Sequence, residues 1–132
     1  AEVKKRGRDV TIVSFGKMMK IAMKAAEELA ADHIDAEVID LRTVRPIDYQ
    51  TVIDSVKKTS RLIVVEESWP LGSIAAEVAF TVQKDAFDHL DAPVRRVTGK
   101  DVPLPYAPTL IDAYLPNPAR VIRAVKEVMY MS

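Results

Sequence analysis

Short apolar runs alternate with amphipathic segments along most of the 132-residue chain. Runs rich in β-branched residues predict four buried strands, at residues 10–15, 36–41, 62–65 and 94–98. Apolar residues at three- and four-residue spacing predict four helices, at residues 17–31, 49–58, 72–89 and from 118 onward. Asp48 and Asn117 are the expected caps of the second and fourth helices. The alternation predicts an α/β fold in which helices cover both faces of a mostly parallel sheet.

The third predicted helix has two separate apolar faces. One consists of Ala75, Val78, Ala79, Val82 and Ala86, and the other of Ala76, Phe80 and Phe87. A helix that is apolar on two sides has to be covered on two sides. Two covers are possible for the second face: the long loop after the last strand, or another subunit.

That loop is rich in proline and yet apolar. Prolines stand at positions 103, 105, 108, 116 and 118, and proline excludes both a helix interior and a central strand. The same stretch carries Val102, Leu104, Tyr106 and Leu110. We therefore expect an extended loop that packs against other parts of the protein.

Composition and charge exclude several classes of protein. The 19 basic and 19 acidic residues cancel, so nothing favours nucleic acid or an anionic membrane as a partner. No apolar run approaches the length of a membrane span. Cysteine is absent, which excludes disulfides and thiolate chemistry. We expect a single domain over residues 1–132, and the missing initiator Met suggests that it is a fragment of a longer subunit.

No complete catalytic constellation appears in the sequence. There is no glycine-rich phosphate loop and no nucleophile elbow. The two histidines are expected to be structural or solvated, His33 in a polar turn and His89 at a helix end. Asp85, Asp88, His89 and Asp91 do not converge as metal ligands would.

Glu66 and Glu67 form a carboxylate pair at the end of the third strand. Adjacent strand residues point to opposite faces, so the two carboxylates do not easily share a substrate. We expect a structural role, with one of them buried and paired with Arg42 or Arg45. The rival class, a standalone small-molecule or phosphate-binding domain, stays open at this point.

Four segments carry a resemblance to a known family. They read DAEVIDLRTVRPID from Asp35, VVEESWPLGSIAAEVA from Val64, LDAPVRRVTGKDVPLPYAP from Leu90 and YLPNPARVIRAVKEVM from Tyr114. Together they resemble the C-terminal domain of the beta subunit of the thiamine-dependent component of 2-oxoacid dehydrogenase complexes. The pyruvate version is most similar, with the branched-chain and acetoin versions as alternatives. One departure is Ser73, where a second glycine would be expected after Gly72.

The resemblance implies a fold and a role. The fold is a three-layer α/β/α domain of the transketolase C-terminal type, whose five-stranded sheet has one antiparallel edge strand, here residues 2–6. The whole enzyme is an oxidoreductase that uses thiamine diphosphate with Mg²⁺, decarboxylates pyruvate and acetylates a lipoyl arm for acetyl-CoA synthesis. The resemblance implies that this domain holds no catalytic residue and binds no cofactor or metal by itself. The implied location is the bacterial cytoplasm, with the mitochondrial matrix as the alternative.

The implied work of the domain is assembly. Its partners are the alpha subunit, a second beta subunit and the subunit-binding domain of the dihydrolipoyl acyltransferase. Asp91 and the terminal carboxylate of Ser132 are the residues implied to bind that last partner. Together with the two apolar faces of the third helix, the resemblance places the subunit interface at Trp69, Ile74, Phe80 and Phe87.

Overall fold

The computed structural model describes residues 1–67, 73–99 and 116–131. Five strands and four helices lie within them: β1 (Glu2–Lys5), β2 (Val10–Ser14), α1 (Met18–Ala31), β3 (Ala36–Asp40), α2 (Tyr49–Thr59), β4 (Leu62–Val65), α3 (Ile74–Ala86), β5 (Arg95–Val97) and α4 (Pro118–Val128). A single 3-10 turn, Phe87–His89, follows α3. The third predicted helix therefore ends three residues early as an α-helix. The proline-rich residues 100–115 lie outside the described residues.

The sheet is mostly parallel, as predicted. Its strand order is β1-β3-β2-β4-β5. The β1 strand pairs with β3 in antiparallel orientation, and the other three pairings are parallel. Helices α1 and α4 pack on one face, and α2 and α3 pack on the other. This is the three-layer α/β/α arrangement with one antiparallel edge strand that the family resemblance implied.

Helix starts follow the predicted capping chemistry. The Asp48 carboxylate accepts a hydrogen bond from the Thr51 N–H at 3.2 Å, and Asn117 accepts one from the Arg120 N–H at 3.0 Å. Ser73 caps α3 by accepting from the Ala76 N–H at 3.1 Å. The serine that departs from the expected glycine thus supplies a helix cap.

A polar network lies inside the layer formed by α2. Glu37 on β3 is only 3% exposed, and its Oε1 accepts hydrogen bonds from the Gly7 N–H at 3.2 Å and from Lys58. Burial alone would raise the pKa of Glu37, but hydrogen bonds from Lys58, Ser55 and Gly7 outweigh it and hold that pKa below its ordinary value. This network ties the turn before β2 and the helix α2 to the central sheet.

A buried cluster of three hydroxyls extends this network. Thr11 lies 2.7 Å from both Ser55 and Thr59, measured between hydroxyl oxygens. All three side chains are buried, so α2 is fixed to β2 by hydrogen bonds as well as by apolar packing.

Among residues 1–67, 73–99 and 116–131, no helix has the length and hydrophobicity needed to cross a lipid bilayer.

Candidate functional site

The carboxyl edge of the sheet is the usual ligand site of a parallel α/β fold, and here Glu66 occupies part of it. Its side chain is 4% exposed and accepts hydrogen bonds from the Ile74 N–H at 3.3 Å and the Ala75 N–H at 2.8 Å. A helix N-terminus attracts anions because its first N–H groups lack partners within the helix. The chain's own carboxylate therefore fills the position at the start of α3 that a bound anion would take.

The predicted burial of one glutamate of this pair is confirmed, but the predicted partner is wrong. Glu66 is bonded by backbone N–H groups, whereas Arg42 pairs with Glu2 at the antiparallel edge. The helix that follows β4 directs its N-terminus toward Glu66. Because the donors are backbone N–H groups, which every residue except proline has, the sequence does not indicate this partner. Glu67 is exposed.

The other candidates for chemistry do not assemble into a catalytic or metal site in the described part of the chain. His33 and His89 are both exposed. Ser14 is buried and donates its hydroxyl to the Val65 carbonyl at 2.8 Å. No group of three metal-ligating side chains comes together among the described residues.

The two faces of α3 differ sharply in exposure. All five residues of the first predicted face are buried. On the second face Phe80 is 63% exposed, and Phe87, in the 3-10 turn that follows, is 70% exposed. Ile74, the first residue of α3, belongs to neither face and is half-buried against the core. Trp69, the remaining predicted interface residue, lies outside the described residues. The second face thus carries large apolar side chains that the described chain does not cover.

Asp91 lies close to this face, just after the 3-10 turn. Its side chain is 62% exposed, and Oδ2 stands 3.9 Å from Nη2 of Arg61. A cleft of about 270 Å³ opens beside it, with Phe87, Pro93 and Tyr130 among its lining residues. The Asp91 carboxylate and the exposed Phe87 ring therefore border the same cleft. Ser132, the second predicted docking residue, lies outside the described residues.

Two residues of this region were missed by sequence reasoning. The Tyr130 hydroxyl donates a hydrogen bond to the Asp91 carbonyl at 2.9 Å. Arg61 lies beside the Asp91 carboxylate although thirty residues separate the two in the chain. Neither belongs to a periodic stripe or a motif, so no sequence signal could have found them.

A basic cleft, also missed, lies between β5 and α4. It has a volume of about 190 Å³ and is lined by Arg95, Arg96, Arg120 and Arg123. Arg95 pairs with Glu127 at 2.7 Å, and Arg120 donates to the Thr98 carbonyl at 2.7 Å. Burial, together with the neighbouring Arg123 guanidinium, lowers the pKa of Arg120. These contacts join α4 to the edge of the sheet.

Known proteins match this chain along nearly all of its length. The family described as transketolase, C-terminal domain, matches residues 1–121. A solved structure described as a split gene transketolase, inactive beta4 tetramer, superposes with a TM-score of 0.84 at 31% identity, covering 98% of this chain and 41% of that one.

Three relatives are pyruvate dehydrogenase E1 component beta subunits. The protein of Rhizobium meliloti is 55% identical over 98% of this chain and 28% of its own length. The protein of Rickettsia bellii is 54% identical over 99% of this chain and 40% of its own length. The mitochondrial beta-1 subunit of Arabidopsis thaliana is 48% identical over all of this chain and 36% of its own length. The chain thus spans well under half of each relative.

Proposed function

Because this chain belongs to the transketolase C-terminal domain family, we propose that it is the non-catalytic assembly and docking domain of a pyruvate dehydrogenase E1 beta subunit. The observation that carries the proposal is identity of 48 to 55% along essentially the whole chain to three such subunits. This supports the pyruvate version over the branched-chain and acetoin versions. In this proposal residues 1–132 are one domain of a longer subunit.

The proposed whole enzyme is an oxidoreductase that decarboxylates pyruvate and passes the acetyl group to a lipoyl arm. Thiamine diphosphate with Mg²⁺ would supply the carbanion chemistry of that reaction. At the carboxyl edge of the sheet the residues do not fit this group, because Glu66 takes the N-terminus of α3 and a carboxylate repels a diphosphate. We therefore assign no cofactor contact to this domain.

Isothermal titration of Mg²⁺ and thiamine diphosphate into the chain tests that assignment. We expect no specific heat of binding. Micromolar affinity would show that the domain takes part in the cofactor site.

The exposed face of α3 is the proposed subunit interface, toward a second beta subunit and the alpha subunit. It exposes Phe80 on the helix that buries its other face, and Phe87 in the 3-10 turn that follows. In the assembled enzyme, Phe80→Glu should release subunits, because a charge buried at an apolar contact is costly.

Lys24→Glu is the matched control for this test, since Lys24 is exposed on α1 in the opposite layer. Size-exclusion chromatography with light scattering reports the mass. If both variants keep the assembly intact, the interface lies elsewhere.

Asp91 is the proposed docking residue for the subunit-binding domain of the dihydrolipoyl acyltransferase, and Ser132 its second contact. The support is an exposed carboxylate beside an open cleft that Phe87 also lines. Exposed carboxylates steer a cationic partner and fix its register.

Surface plasmon resonance of the assembled enzyme against that domain tests the role of Asp91. Asp91→Asn should weaken binding roughly tenfold, the scale of one charge-assisted hydrogen bond, and flatten the salt dependence. Asp88→Asn is the control, because Asp88 is an exposed carboxylate three residues away. Equal affinity of the Asp91 variant and the parent enzyme at low salt would show that Asp91 is only a turn residue.

The proposed compartment is the bacterial cytoplasm, with the mitochondrial matrix as the alternative. Relatives come from bacteria and from mitochondria.

A further inference from the structure

The backbone of Asp91 is held on both sides by distant parts of the chain. Its N–H donates to the carbonyl of Ser60, at the end of α2, at 2.9 Å. Its carbonyl accepts the Tyr130 hydroxyl at 2.9 Å. Only the carboxylate reaches outward, with 62% of the side chain exposed. The position of this acid is therefore fixed while its charge remains accessible.

Arg61, the cation beside Asp91, is itself fixed. Its Nε donates to the Val128 carbonyl at 3.2 Å, and its Nη1 donates to the Asp9 carbonyl at 3.3 Å. Its side chain is 24% exposed, so the charge does not swing freely into solvent. The 3.9 Å separation from Asp91 is longer than a hydrogen bond. Arg61 thus reduces the negative electrostatic potential at the Asp91 carboxylate without forming a hydrogen bond to it.

We propose that Tyr130 and Arg61 set the strength with which Asp91 binds a cationic partner segment. Tyr130 is a positioning residue that acts through the Asp91 carbonyl. Arg61 is an internal competitor for the Asp91 carboxylate, which the partner's lysine or arginine has to share or displace. The inference rests on the proposed docking function of Asp91.

The two residues should act with opposite signs. Tyr130→Phe keeps the ring and removes one neutral hydrogen bond, so partner affinity should fall about fivefold. Arg61→Met keeps most of the aliphatic length and removes the competing charge together with the donors to the Val128 and Asp9 carbonyls. Exposed ion pairs are weak, so affinity should rise up to about fivefold at low salt, with a steeper salt dependence.

The experiment is surface plasmon resonance of the assembled enzyme against the subunit-binding domain, at low and high salt. Each variant is measured alone and combined with Asp91→Asn. Coupling is the decisive readout: both effects should vanish on the Asp91→Asn background, which a merely structural role would not produce. Arg61→Lys keeps the charge and should bind like the parent enzyme, and Arg61→Gln replaces Arg61→Met if thermal melting shows that the latter unfolds.

Three results overturn the idea in distinguishable ways. If Asp91→Asn itself leaves binding unchanged, the docking function of Asp91 is wrong. If Asp91→Asn weakens binding while Tyr130→Phe has no effect, or Arg61→Met does not strengthen binding, docking stands and this inference fails. If either effect persists at full size on the Asp91→Asn background, that residue acts independently of Asp91 and the inference also fails.

Discussion

Two carboxylates in this domain each have a cationic neighbour, and their surroundings differ. Glu37 is 3% exposed and is bonded to Lys58 and to a backbone N–H inside the α2 layer. Asp91 is 62% exposed and stands 3.9 Å from Arg61. The first acid has its partners within the chain, while the second presents its charge to solvent beside uncovered aromatic rings. An acidic residue beside a cation therefore stabilises the fold in one place and is available for recognition in the other.

The largest effect should come from Gly7, which closes the Glu37 network. A Cβ at this position would lie 2.4 Å from the carbonyl carbon of Ala36 and 2.6 Å from the backbone nitrogen of Glu37. Backbone atoms cannot move aside as a flexible side chain can, so Gly7→Ala should cost about 3 kcal/mol in free energy of unfolding. Urea denaturation measures it. A cost below about 0.5 kcal/mol, within the range of ordinary surface changes, would mean that this turn is not closely packed.

Glu66 is a second enclosed carboxylate. Removing it in Glu66→Ala leaves the N–H groups of Ile74 and Ala75 without this acceptor, which should cost about 2–3 kcal/mol in free energy of unfolding. Glu66→Gln keeps one acceptor oxygen and is the matched control, with a smaller loss. Urea denaturation of both variants checks the order, and equal losses would show that the negative charge matters more than the acceptor.

Glu37 should make stability depend on pH. Its pKa is lowered in the folded chain, so its contribution is fully present above the ordinary glutamate pKa of about 4.3 and is lost as pH falls through the lower folded value. Glu37→Gln should cost about 1–2 kcal/mol at neutral pH and flatten the acid limb of the stability curve. Denaturation curves between neutral and acid pH measure both, and an acid limb unchanged in slope would assign the pH dependence to other carboxylates.

Asp91 should show the smallest effect on folding. Asp91→Asn removes an exposed charge and keeps the backbone hydrogen bonds, so the free energy of unfolding should change by less than about 0.5 kcal/mol. If Asp91 serves recognition and Glu37 serves stability, the change in free energy of unfolding for Asp91→Asn has to be this small. A loss as large as that of Glu37→Gln would make Asp91 a folding residue and remove the contrast.

The fold followed from local patterns in the sequence. Periodicity placed the strands and helices, and the caps Asp48 and Asn117 were correct because capping chemistry is local. The end of α3 was extended too far, since Phe87–His89 continues the helical pattern but forms a 3-10 turn. The partners of Glu66 and Asp91 could not be predicted, because they depend on which distant backbone groups the fold brings together.

Arg61 joins three segments that are far apart in sequence. One guanidinium reaches the carbonyl of Asp9 before β2, the carbonyl of Val128 at the end of α4, and the turn that carries Asp91. Terminal turns usually fray with little cost in free energy. Here the last turn of α4 cannot open without releasing contacts around Asp91, so amide hydrogen exchange at Met129 and Asp91 should report one shared opening event.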